Sequence, residues 1–353
     1  MSPTLMIMAG GTGGHVMPGL AVAEQMRARD WQVVWLGHPE GIEGRLTAGA
    51  GIPLEPLRFR GLRGKGLVAK LLLPIRLLSG FGQSLRALRR TRPSVVLGMG
   101  GYPAFPGAMM ASLLGVPLVI HEQNSIAGLT NRVLARLADR VLEAFPGSLP
   151  GAQCTGNPLR QTMIDVPPPA ERYAARSGPL ELLVVGGSLG AQVFNQGLPD
   201  ALSRLAPDQR PRITHQTGKG RAESVARDYA ERGVEARVVE FIDDIGAAYA
   251  QADLVIARAG AMTVSELAAV GVASILVPYP YAVDDHQTTN ARHLAQSGAA
   301  VLMPQEAFAP AALATLIQSQ SRESARIMAE RARALSRADA AQAVAQVCQE
   351  LAR

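Results

Sequence analysis

The chain has 353 residues, of which 48% are hydrophobic and 18% charged, a composition typical of a folded protein long enough for two domains. Its 35 basic and 29 acidic residues give a formal net charge of +6, which favours an anionic partner: a nucleotide, a nucleic acid or an acidic membrane surface. The two cysteines, Cys154 and Cys348, exclude a disulfide framework and a cysteine-based metal site, and they indicate a reducing compartment.

We expect neither a signal peptide nor a transmembrane segment. The first predicted strand already begins at Leu5, which leaves no room for a leader. The uncharged run 95–120 is long enough to span a membrane, but its glycines and prolines divide it into strand, turn, short helix and strand. We therefore interpret this run as part of a buried α/β core.

A glycine-rich turn follows the first predicted strand, Leu5 to Met8, and precedes a helical pattern over Val16 to Arg29. The turn, Gly10-Gly11-Thr12-Gly13-Gly14, lets the backbone approach a ligand closely, and the free amides of the helix suit a phosphate or a sugar oxygen. A plain strand-to-helix turn without a ligand is the alternative. His15 favours the ligand, because it adds a titratable group that a plain turn does not need.

The same pattern opens the second half of the chain. The apolar run Leu182 to Val185 leads into Gly186-Gly187-Ser188-Leu189-Gly190 and a second helical pattern. Two such units predict two Rossmann-like domains with parallel sheets that face each other across a cleft. Ligands are then expected outside the carboxyl ends of both sheets.

The first half continues with a strand over 32–37, a loop-rich segment over 41–64 and a strand over 94–99 that ends in a glycine turn, Gly100-Gly101-Tyr102. Between them, apolar and basic residues are interleaved from Leu67 to Arg90. This segment is predicted to lie on an anionic bilayer surface, and packing on the sheet is the alternative.

The next strand ends in His121-Glu122-Gln123-Asn124, so these polar side chains should lie at the ligand-binding edge of the sheet. Ser125 is then predicted to cap a helix that runs through Arg136. The tail from Arg322 is predicted to be helical throughout and to pack across the domain junction. Further strands are predicted over 139–145, 153–157, 180–185, 212–216, 237–241, 254–257, 274–278 and 301–303.

Two common nucleotide-binding motifs are missing from the sequence. A dinucleotide-binding turn needs a third glycine where this chain has Val16, and an acidic residue where the second strand ends in Gly37. A phosphate-binding P-loop needs an upstream glycine and a Ser or Thr after its lysine, and Lys219 has neither. NAD and a P-loop nucleotide are therefore not expected.

The most informative stretch of the second half is Arg258 to Glu266. A strand ends in Arg258-Ala259-Gly260, and the helix that begins at Ala261 offers its first amides to a phosphate. Glu266 can accept two hydrogen bonds from a ribose diol, or it is simply a favourable charge near the helix N-terminus. Asp284-Asp285-His286-Gln287 precedes another helix and offers partners for sugar hydroxyls. The acidic pair could also suggest a metal, but solvated N-cap residues fit better.

Taken together, these motifs resemble the MurG family of bacterial N-acetylglucosaminyltransferases, which convert lipid I to lipid II in peptidoglycan synthesis. The resemblance follows the family order over nearly the whole chain. It is carried by residues 10–15, 98–102, 121–124, 186–191, 241–244, 258–266, 285–287 and 290–291.

The resemblance implies a GT-B fold with three parts: an acceptor-binding and membrane-associating domain over 1–159, a UDP-GlcNAc-binding domain over 160–337, and a C-terminal helix over 338–353 that returns to the first domain. Lipid I is expected to dock on the first domain, on the side of Gly100, Gly101 and Tyr102. The donor is expected to contact Thr12, Gly13, Gly14 and Asn124 from the first domain, and Arg160, Ser188, Ile242, Ala261, Met262, Thr263, Val264, Ser265, Glu266 and Gln287 from the second. Within that set, the backbone of Ile242 would contact uracil, Glu266 the ribose, Ser188 the diphosphate, and Gln287 or His286 the sugar.

The implied reaction inverts an α-linked donor to a β-1,4 product by single displacement. His15 is the candidate base because an imidazole titrates near neutral pH, Glu122 is the reserve, and His121 is expected to support the wall of the cleft. The alternative role of His15 is to orient the glycine-rich loop. Helix N-termini and Arg160 would stabilise the departing UDP, so no metal or other cofactor is expected.

The implied partners are UDP-GlcNAc, lipid I, an anionic membrane surface and other proteins of cell-wall synthesis and division. The expected location is peripheral, on the cytoplasmic face of the bacterial inner membrane. A UDP-GlcNAc 2-epimerase of the same fold is the alternative enzyme, but it would not need the apolar and basic segment. A nucleic-acid-binding protein would explain the basic pI of 9.7, yet only 4% of the residues are aromatic and no stacking platform or DNA-binding motif is present.

Overall fold

A computed structural model describes residues 2–59, 73–187 and 189–352, with the backbone alone for Leu73. The chain divides into two compact units. The N-terminal unit contains the residues up to Gln161 together with those from Arg337 onward, and the C-terminal unit contains Thr162–Ser336.

The N-terminal unit is built on a seven-stranded parallel sheet of order β3-β2-β1-β4-β5-β6-β7. Its strands are β1 Thr4–Met8, β2 Gln32–Gly37, β3 Leu54–Pro56, β4 Val95–Gly98, β5 Leu118–Glu122, β6 Arg140–Glu143 and β7 Gln153–Cys154. Its helices are α1 Gly13–Arg27, α2 Ile42–Gly49, α3 Leu73–Thr91, α4 Ala104–Leu113 and α5 Leu129–Leu134, and α6 Gln161–Ile164 spans the boundary to the next unit.

The sheet of this unit is apolar on both faces. Strands β1 and β4 are almost completely buried, as expected for parallel strands that helices cover on both sides. The register pairs Met8 with Gly98, so β1 and β4 end side by side and their two glycine turns leave the sheet at the same edge. This placement brings the candidate residues of the first half together.

The C-terminal unit repeats the design with a six-stranded parallel sheet of order β10-β9-β8-β11-β12-β13. Its strands are β8 Glu181–Val185, β9 Arg212–Gln216, β10 Arg237–Val239, β11 Leu254–Ala257, β12 Ala273–Leu276 and β13 Val301–Leu302. Its helices are α7 Pro169–Ala174, α8 Gln192–Ser203, α9 Ala222–Glu231, α10 Ile245–Gln251, α11 Ala261–Val270, α12 His286–Ala295, α13 Pro310–Gln318 and α14 Arg322–Ala334. The prediction of two parallel α/β domains is confirmed.

The predicted helix from Ser125 to Arg136 begins too early. The chain bends at Ser125, and α5 begins only at Leu129, after the N-cap residue Gly128. The carboxylate of Glu122 accepts hydrogen bonds from the amides of Asn124 and Gly128, and these bonds hold the intervening residues in a loop. The segment 41–64, predicted to be loop-rich, contains α2 and β3 in its described part, because Ile42 and Leu46 are spaced to bury one helix face against the core.

The tail from Arg322 is not helical throughout. α14 ends at Ala334, and a separate helix, α15 Ala340–Leu351, follows after a short break. α14 packs against α11 in the C-terminal unit, whereas α15 packs against α1 in the N-terminal unit, so the chain has to change direction between them. The turn to the N-terminal unit begins with Arg337, whose side chain packs against Gly156.

Arg160, predicted to open the second domain, lies within the N-terminal unit, whose contacts extend to Gln161. The predictions for Ser188, for the end of the loop-rich segment and for the start of the apolar and basic segment fall outside the described residues. Among the helices of the described ranges, none combines the length and the apolar character needed to cross a bilayer.

Candidate active site

Two glycine turns interlock at the carboxyl edge of the N-terminal sheet. Gly101 has a φ of +79°, and a Cβ atom on it would lie 2.2 Å from the carbonyl oxygen of Gly10. A Cβ atom on Gly100, which has a φ of +89°, would lie 3.1 Å from the ring of His15. Only glycine satisfies both the left-handed backbone and the close approach, so these turns form one rigid platform beneath the start of α1.

A buried carboxylate that sequence analysis missed fastens this platform. Glu43 in α2 accepts hydrogen bonds from the Gly11 amide at 3.2 Å, the His38 amide at 3.0 Å and the Tyr102 hydroxyl at 2.7 Å. Its exposure is 0%. Glu43 therefore connects the ends of three neighbouring strands. The only sequence signal was an acidic residue in a segment predicted to be loop.

His15 lies in the first turn of α1 and is half-buried. Its Nδ1 atom lies 2.9 Å from Oε1 of Gln123, which follows β5. Thr12 precedes α1 as its N-cap in extended conformation and makes no side-chain cap hydrogen bond. Thr12, Gly13 and Gly14 are exposed or half-buried, so this part of the turn is accessible to a ligand.

Glu122, the reserve base, is 2% exposed and already engaged. It accepts hydrogen bonds from the amide and the side chain of Asn124, from the Gly128 amide and from Nδ2 of Asn131, at distances of 2.9 to 3.2 Å. A carboxylate whose oxygens already accept from four donors serves to shape the loop. We therefore retain His15 as the candidate base.

The C-terminal unit contains a second pair of interlocked glycine turns. A Cβ atom on Gly190, which has a φ of +69°, would lie 1.9 Å from the carbonyl oxygen of Thr217. A Cβ atom on Gly218 would lie 2.6 Å from the amide nitrogen of Gly190. The turns after β8 and β9 are therefore fixed against each other at the carboxyl edge of this sheet.

α11 begins at Ala261, as predicted, with Gly260 as its N-cap. Glycine supplies no capping side chain, so no side chain of the N-cap residue covers the amides of Ala261, Met262 and Thr263. Val264 is buried, and Ser265 and Glu266 in the second turn are half-buried. Burial raises the pKa of Tyr249 well above its usual value, and the nearby negative charge of Glu266 adds to this effect.

Arg258, at the end of β11, organises the neighbouring loop. Its guanidinium lies over the rings of Phe194 and Tyr279 and donates hydrogen bonds to the carbonyl oxygens of Val277 and Pro278. The Tyr279 amide in turn donates to Oε1 of Gln287 at 2.9 Å.

This hydrogen bond fixes the orientation of the Gln287 amide, because its oxygen faces the backbone. The Nε2 group of Gln287 is then the part that can donate to a ligand. The neighbouring His286 uses Nδ1 to contact the Val283 carbonyl oxygen at 2.7 Å. Asp285 occupies the N-cap position of α12, but its carboxylate accepts from the Thr288 hydroxyl and makes no side-chain cap hydrogen bond to a backbone amide.

Ile242 is half-buried just after β10 and lines a cavity of about 340 Å³. This cavity also reaches Glu181 and Gln251, which lie at the amino edge of the sheet. It therefore extends well beyond the carboxyl edge, where the other candidate residues of this unit lie.

The comparisons with known proteins cover both units. The sequence model of the glycosyltransferase family 28 N-terminal domain matches residues 5–143, and that of the C-terminal domain matches residues 181–347. The crystal structure of Acinetobacter baumannii MurG aligns with a TM-score of 0.86 at 39% identity and covers 99% of both chains. The glycotransferase of kitacinnamycin aligns with a TM-score of 0.71 at 17% identity and shares the fold.

Curated relatives agree over the full length. A protein of Ralstonia nicotianae is 59% identical over 353 residues, covering 99% of this chain and 97% of its own. A protein of Burkholderia cenocepacia is 60% identical, covering 99% of this chain and 96% of its own. Both are named UDP-N-acetylglucosamine–N-acetylmuramyl-(pentapeptide) pyrophosphoryl-undecaprenol N-acetylglucosamine transferase.

The fold and these matches define a two-domain glycosyltransferase of the GT-B class. Within glycosyltransferase family 28, the chain belongs to the MurG family. The alternative of an epimerase receives no support from these comparisons.

Proposed function

We propose that the protein transfers N-acetylglucosamine from UDP-GlcNAc to the 4-hydroxyl of the N-acetylmuramyl sugar of lipid I and so produces lipid II for peptidoglycan synthesis. The observation that carries this proposal is the identity of 59% to 60%, over 99% of the chain, to relatives whose name states this donor and this acceptor. The interlocked glycine turns and the uncapped start of α11 supply the kind of surface that a nucleotide sugar requires.

The proposed chemistry is a single displacement with inversion. The muramyl O4 forms a bond to C1 of the N-acetylglucosamine as the bond from C1 to the UDP oxygen breaks. Nε2 of His15 accepts the proton that O4 loses, and UDP leaves with the bonding electrons. Gly100 lies against His15, and Gly101 and Tyr102 lie against the adjoining turn, which supports an acceptor-binding role for all three.

We propose that the C-terminal unit binds most of the donor. The amides of Ala261, Met262 and Thr263 and the positive end of the α11 dipole stabilise the diphosphate as UDP departs. Val264 and Ser265 continue this helix end, and Glu266 accepts hydrogen bonds from the ribose hydroxyls. Gln287 donates to the sugar through Nε2, because its oxygen is held by the Tyr279 amide.

The remaining donor contacts are proposed from the family resemblance. Ser188 would contact the diphosphate, and the backbone of Ile242 would contact uracil. From the N-terminal unit, we propose contacts from Thr12, Gly13, Gly14 and Asn124, with Arg160 as the cation that balances the charge of the departing UDP. No metal ion is needed in this scheme, because helix amides and a guanidinium perform the stabilisation.

We propose peripheral association with an anionic membrane, on the cytoplasmic face of the inner membrane, through α3. Ile75 and Leu78 are 65% and 69% exposed on this helix. Arg76, Arg86, Arg89 and Arg90 are exposed on the same helix. Apolar side chains flanked by arginines suit the boundary between lipid headgroups and acyl chains. Other proteins of cell-wall synthesis and division are proposed as partners on the basis of the family alone.

The test is UDP release from UDP-GlcNAc, with and without a lipid I analogue, in the presence of EDTA. The proposal requires release that depends on the acceptor and persists under chelation, with a β-1,4-linked disaccharide as product. Conversion of the donor to its C2 epimer in the absence of acceptor would show that the protein is an epimerase and not a transferase. Loss of release on chelation would overturn the metal-independent mechanism.

A further inference from the structure

We propose that Gln123 and His121 are positioning residues that hold His15 in the tautomer with its proton on Nδ1. This inference rests on the proposed role of His15 as the base. It assigns a function to two side chains whose contribution is indirect, because they act on the imidazole of His15.

The orientation of the Gln123 amide follows from its backbone partner. Nε2 of Gln123 lies 3.0 Å from the carbonyl oxygen of His121, which can only accept a hydrogen bond. The side of the amide that faces this carbonyl must therefore be the NH₂ group. The other side, at 2.9 Å from Nδ1 of His15, must be the oxygen, so Nδ1 has to be the donor.

His121 fixes the same orientation from a second direction. Its Nε2 atom lies 2.9 Å from the carbonyl oxygen of Gly156, so this nitrogen carries the proton. Nδ1 of His121 is then an acceptor, and it lies 3.1 Å from Nε2 of Gln123. Burial lowers the pKa of His121 to about 4, which keeps the ring neutral and its Nδ1 lone pair available at physiological pH.

The result is a chain of hydrogen bonds with one consistent set of proton positions. It begins at the Gly156 carbonyl, passes through His121 and Gln123, and ends at Nδ1–H of His15. Gln123 is 1% exposed and His121 is 0% exposed, so water does not compete for these bonds. The reversed tautomer of His15 would place two lone pairs opposite each other at 2.9 Å.

The consequence for catalysis concerns the other ring nitrogen. With the proton on Nδ1, Nε2 of His15 carries the lone pair that a base requires. The ring itself is held against Gly100, where a Cβ atom would lie 3.1 Å from its Nδ1 and Cε1 atoms. The hydrogen-bond chain therefore sets both the direction and the protonation of the base before the acceptor arrives.

The direct measurement is the tautomer of His15 by NMR of the protein labelled with ¹⁵N-histidine. The protein has six histidines, and the spectrum of a His15→Ala variant assigns the His15 signals. We expect Nδ1 of His15 to be protonated and Nε2 to be bare at alkaline pH. In the Gln123→Met variant, which keeps the side-chain length but removes the acceptor, we expect the Nε2–H form to become populated.

Kinetics supply the second readout. Gln123→Met should lower kcat by about 10-fold and leave KM for UDP-GlcNAc unchanged. A general base accelerates the reaction by roughly 10²- to 10⁴-fold, and the loss is smaller here because part of the His15 rings retain the active tautomer. Gln123→Glu keeps an acceptor opposite Nδ1 of His15 and should retain the Nδ1–H signal that Gln123→Met loses. Its second oxygen replaces the NH₂ group that faces the His121 carbonyl, so turnover should be restored only in part. A role confined to packing would not separate these two variants.

The outcomes distinguish this inference from the proposal on which it rests. An Nε2–H form of His15 in the unaltered protein, or an Nδ1–H form that persists in Gln123→Met, overturns the positioning role. Near-normal turnover of His15→Ala overturns the base itself, whatever the tautomer. If circular dichroism shows that Gln123→Met does not fold, the NMR spectrum of the unaltered protein still decides the tautomer of His15.

Discussion

The imidazole of His15 is the group on which the proposed proton transfer depends. His15→Ala should lower turnover by roughly 10² to 10⁴, since it removes the base. UDP-GlcNAc affinity should remain nearly unchanged, because the donor contacts are proposed mainly from the C-terminal unit. Steady-state kinetics measures the turnover, and calorimetric titration measures the affinity for UDP-GlcNAc. Glu24→Ala, an exposed position on the same helix, is the matched control and should behave as the unaltered protein.

Glu266 carries the second prediction at the scale of single residues. Glu266→Gln should weaken UDP binding by roughly 1.5 to 3 kcal/mol, because hydrogen bonds from the ribose to a charged acceptor are lost. Calorimetric titration with UDP is the measurement. Glu231→Gln, at an exposed position of the same unit, is the control. Equal affinities in both variants would remove Glu266 from the ribose contact and leave it as a charge in the first turns of α11.

Sequence patterns selected His15 and Glu266 because each lies beside a glycine turn or a helix start that a short stretch of chain reveals. Glu43 could not be found in this way, and for Gln123 the sequence indicated only a place at the edge of the sheet, not its contact with His15. Their importance comes from partners that are distant along the chain: Gly11 is 32 residues from Glu43, and His15 is 108 residues from Gln123. Only the order of the strands in the sheet brings these pairs within hydrogen-bond distance.

At the scale of elements, the interlocked turns predict that substitution of two glycines, Gly101 and Gly128, has different effects on stability. Gly101→Ala should destabilise the N-terminal unit by about 1 to 3 kcal/mol or more, because it adds backbone strain at a φ of +79° and a clash with the Gly10 carbonyl oxygen. Gly128→Ala should be tolerated, since no atom lies within 4 Å of its Cβ position and its φ is negative. Urea unfolding of both variants measures the difference. Equal stability would show that the turns adjust freely.

The exposed face of α3 gives a prediction for membrane association. The double variant Ile75→Ser and Leu78→Ser should reduce sedimentation with anionic liposomes, because two apolar side chains no longer enter the headgroup region. Thermal unfolding should be unaffected, because both side chains are largely exposed. The matched control replaces Leu88, which is 2% exposed on the same helix, by Ser and should destabilise the fold. Unfolding of the double variant would favour the alternative that this face packs on the protein.

The elements themselves were predictable to different degrees. The buried parallel strand β11 was predicted with its observed bounds, since a continuous apolar run between polar residues identifies it. The start of α5 was not, because Ser125 is a good N-cap residue in isolation. There, the hydrogen bonds of Glu122 with the following loop outweigh this local preference.

At the scale of the whole molecule, each unit contains a buried neutral histidine that makes it sensitive to acid. Burial lowers the pKa of His121 in the N-terminal unit and of His215 in the C-terminal unit to about 4. In the unfolded chain both titrate near about 6.5, so the unfolded state binds more protons between these values. Above about pH 6.5 the two histidines do not reduce the free energy of unfolding. As the pH falls towards 4, each lowers the free energy of unfolding by on the order of 3 kcal/mol.

Urea unfolding at about pH 7.5 and about pH 5 checks this prediction, with separate probes for the two units. We expect lower midpoints at the acidic pH in both units. His215→Gln should reduce the dependence in the C-terminal unit alone and leave that of the N-terminal unit intact. Urea midpoints that are the same at both pH values would mean that the folded protein takes up protons on both histidines at the acidic pH.

The packing of α15 has a consequence for the order in which the protein is made. Val344, Ala345 and Cys348 belong to the same buried cluster as Leu5, Ile7 and Val16. The N-terminal unit emerges first from the ribosome, yet it cannot complete its core until residues 340–351 have been synthesised. The C-terminal unit, whose residues end at Ser336, can close earlier. The unit that is translated first can therefore complete its core only after the other unit has been synthesised.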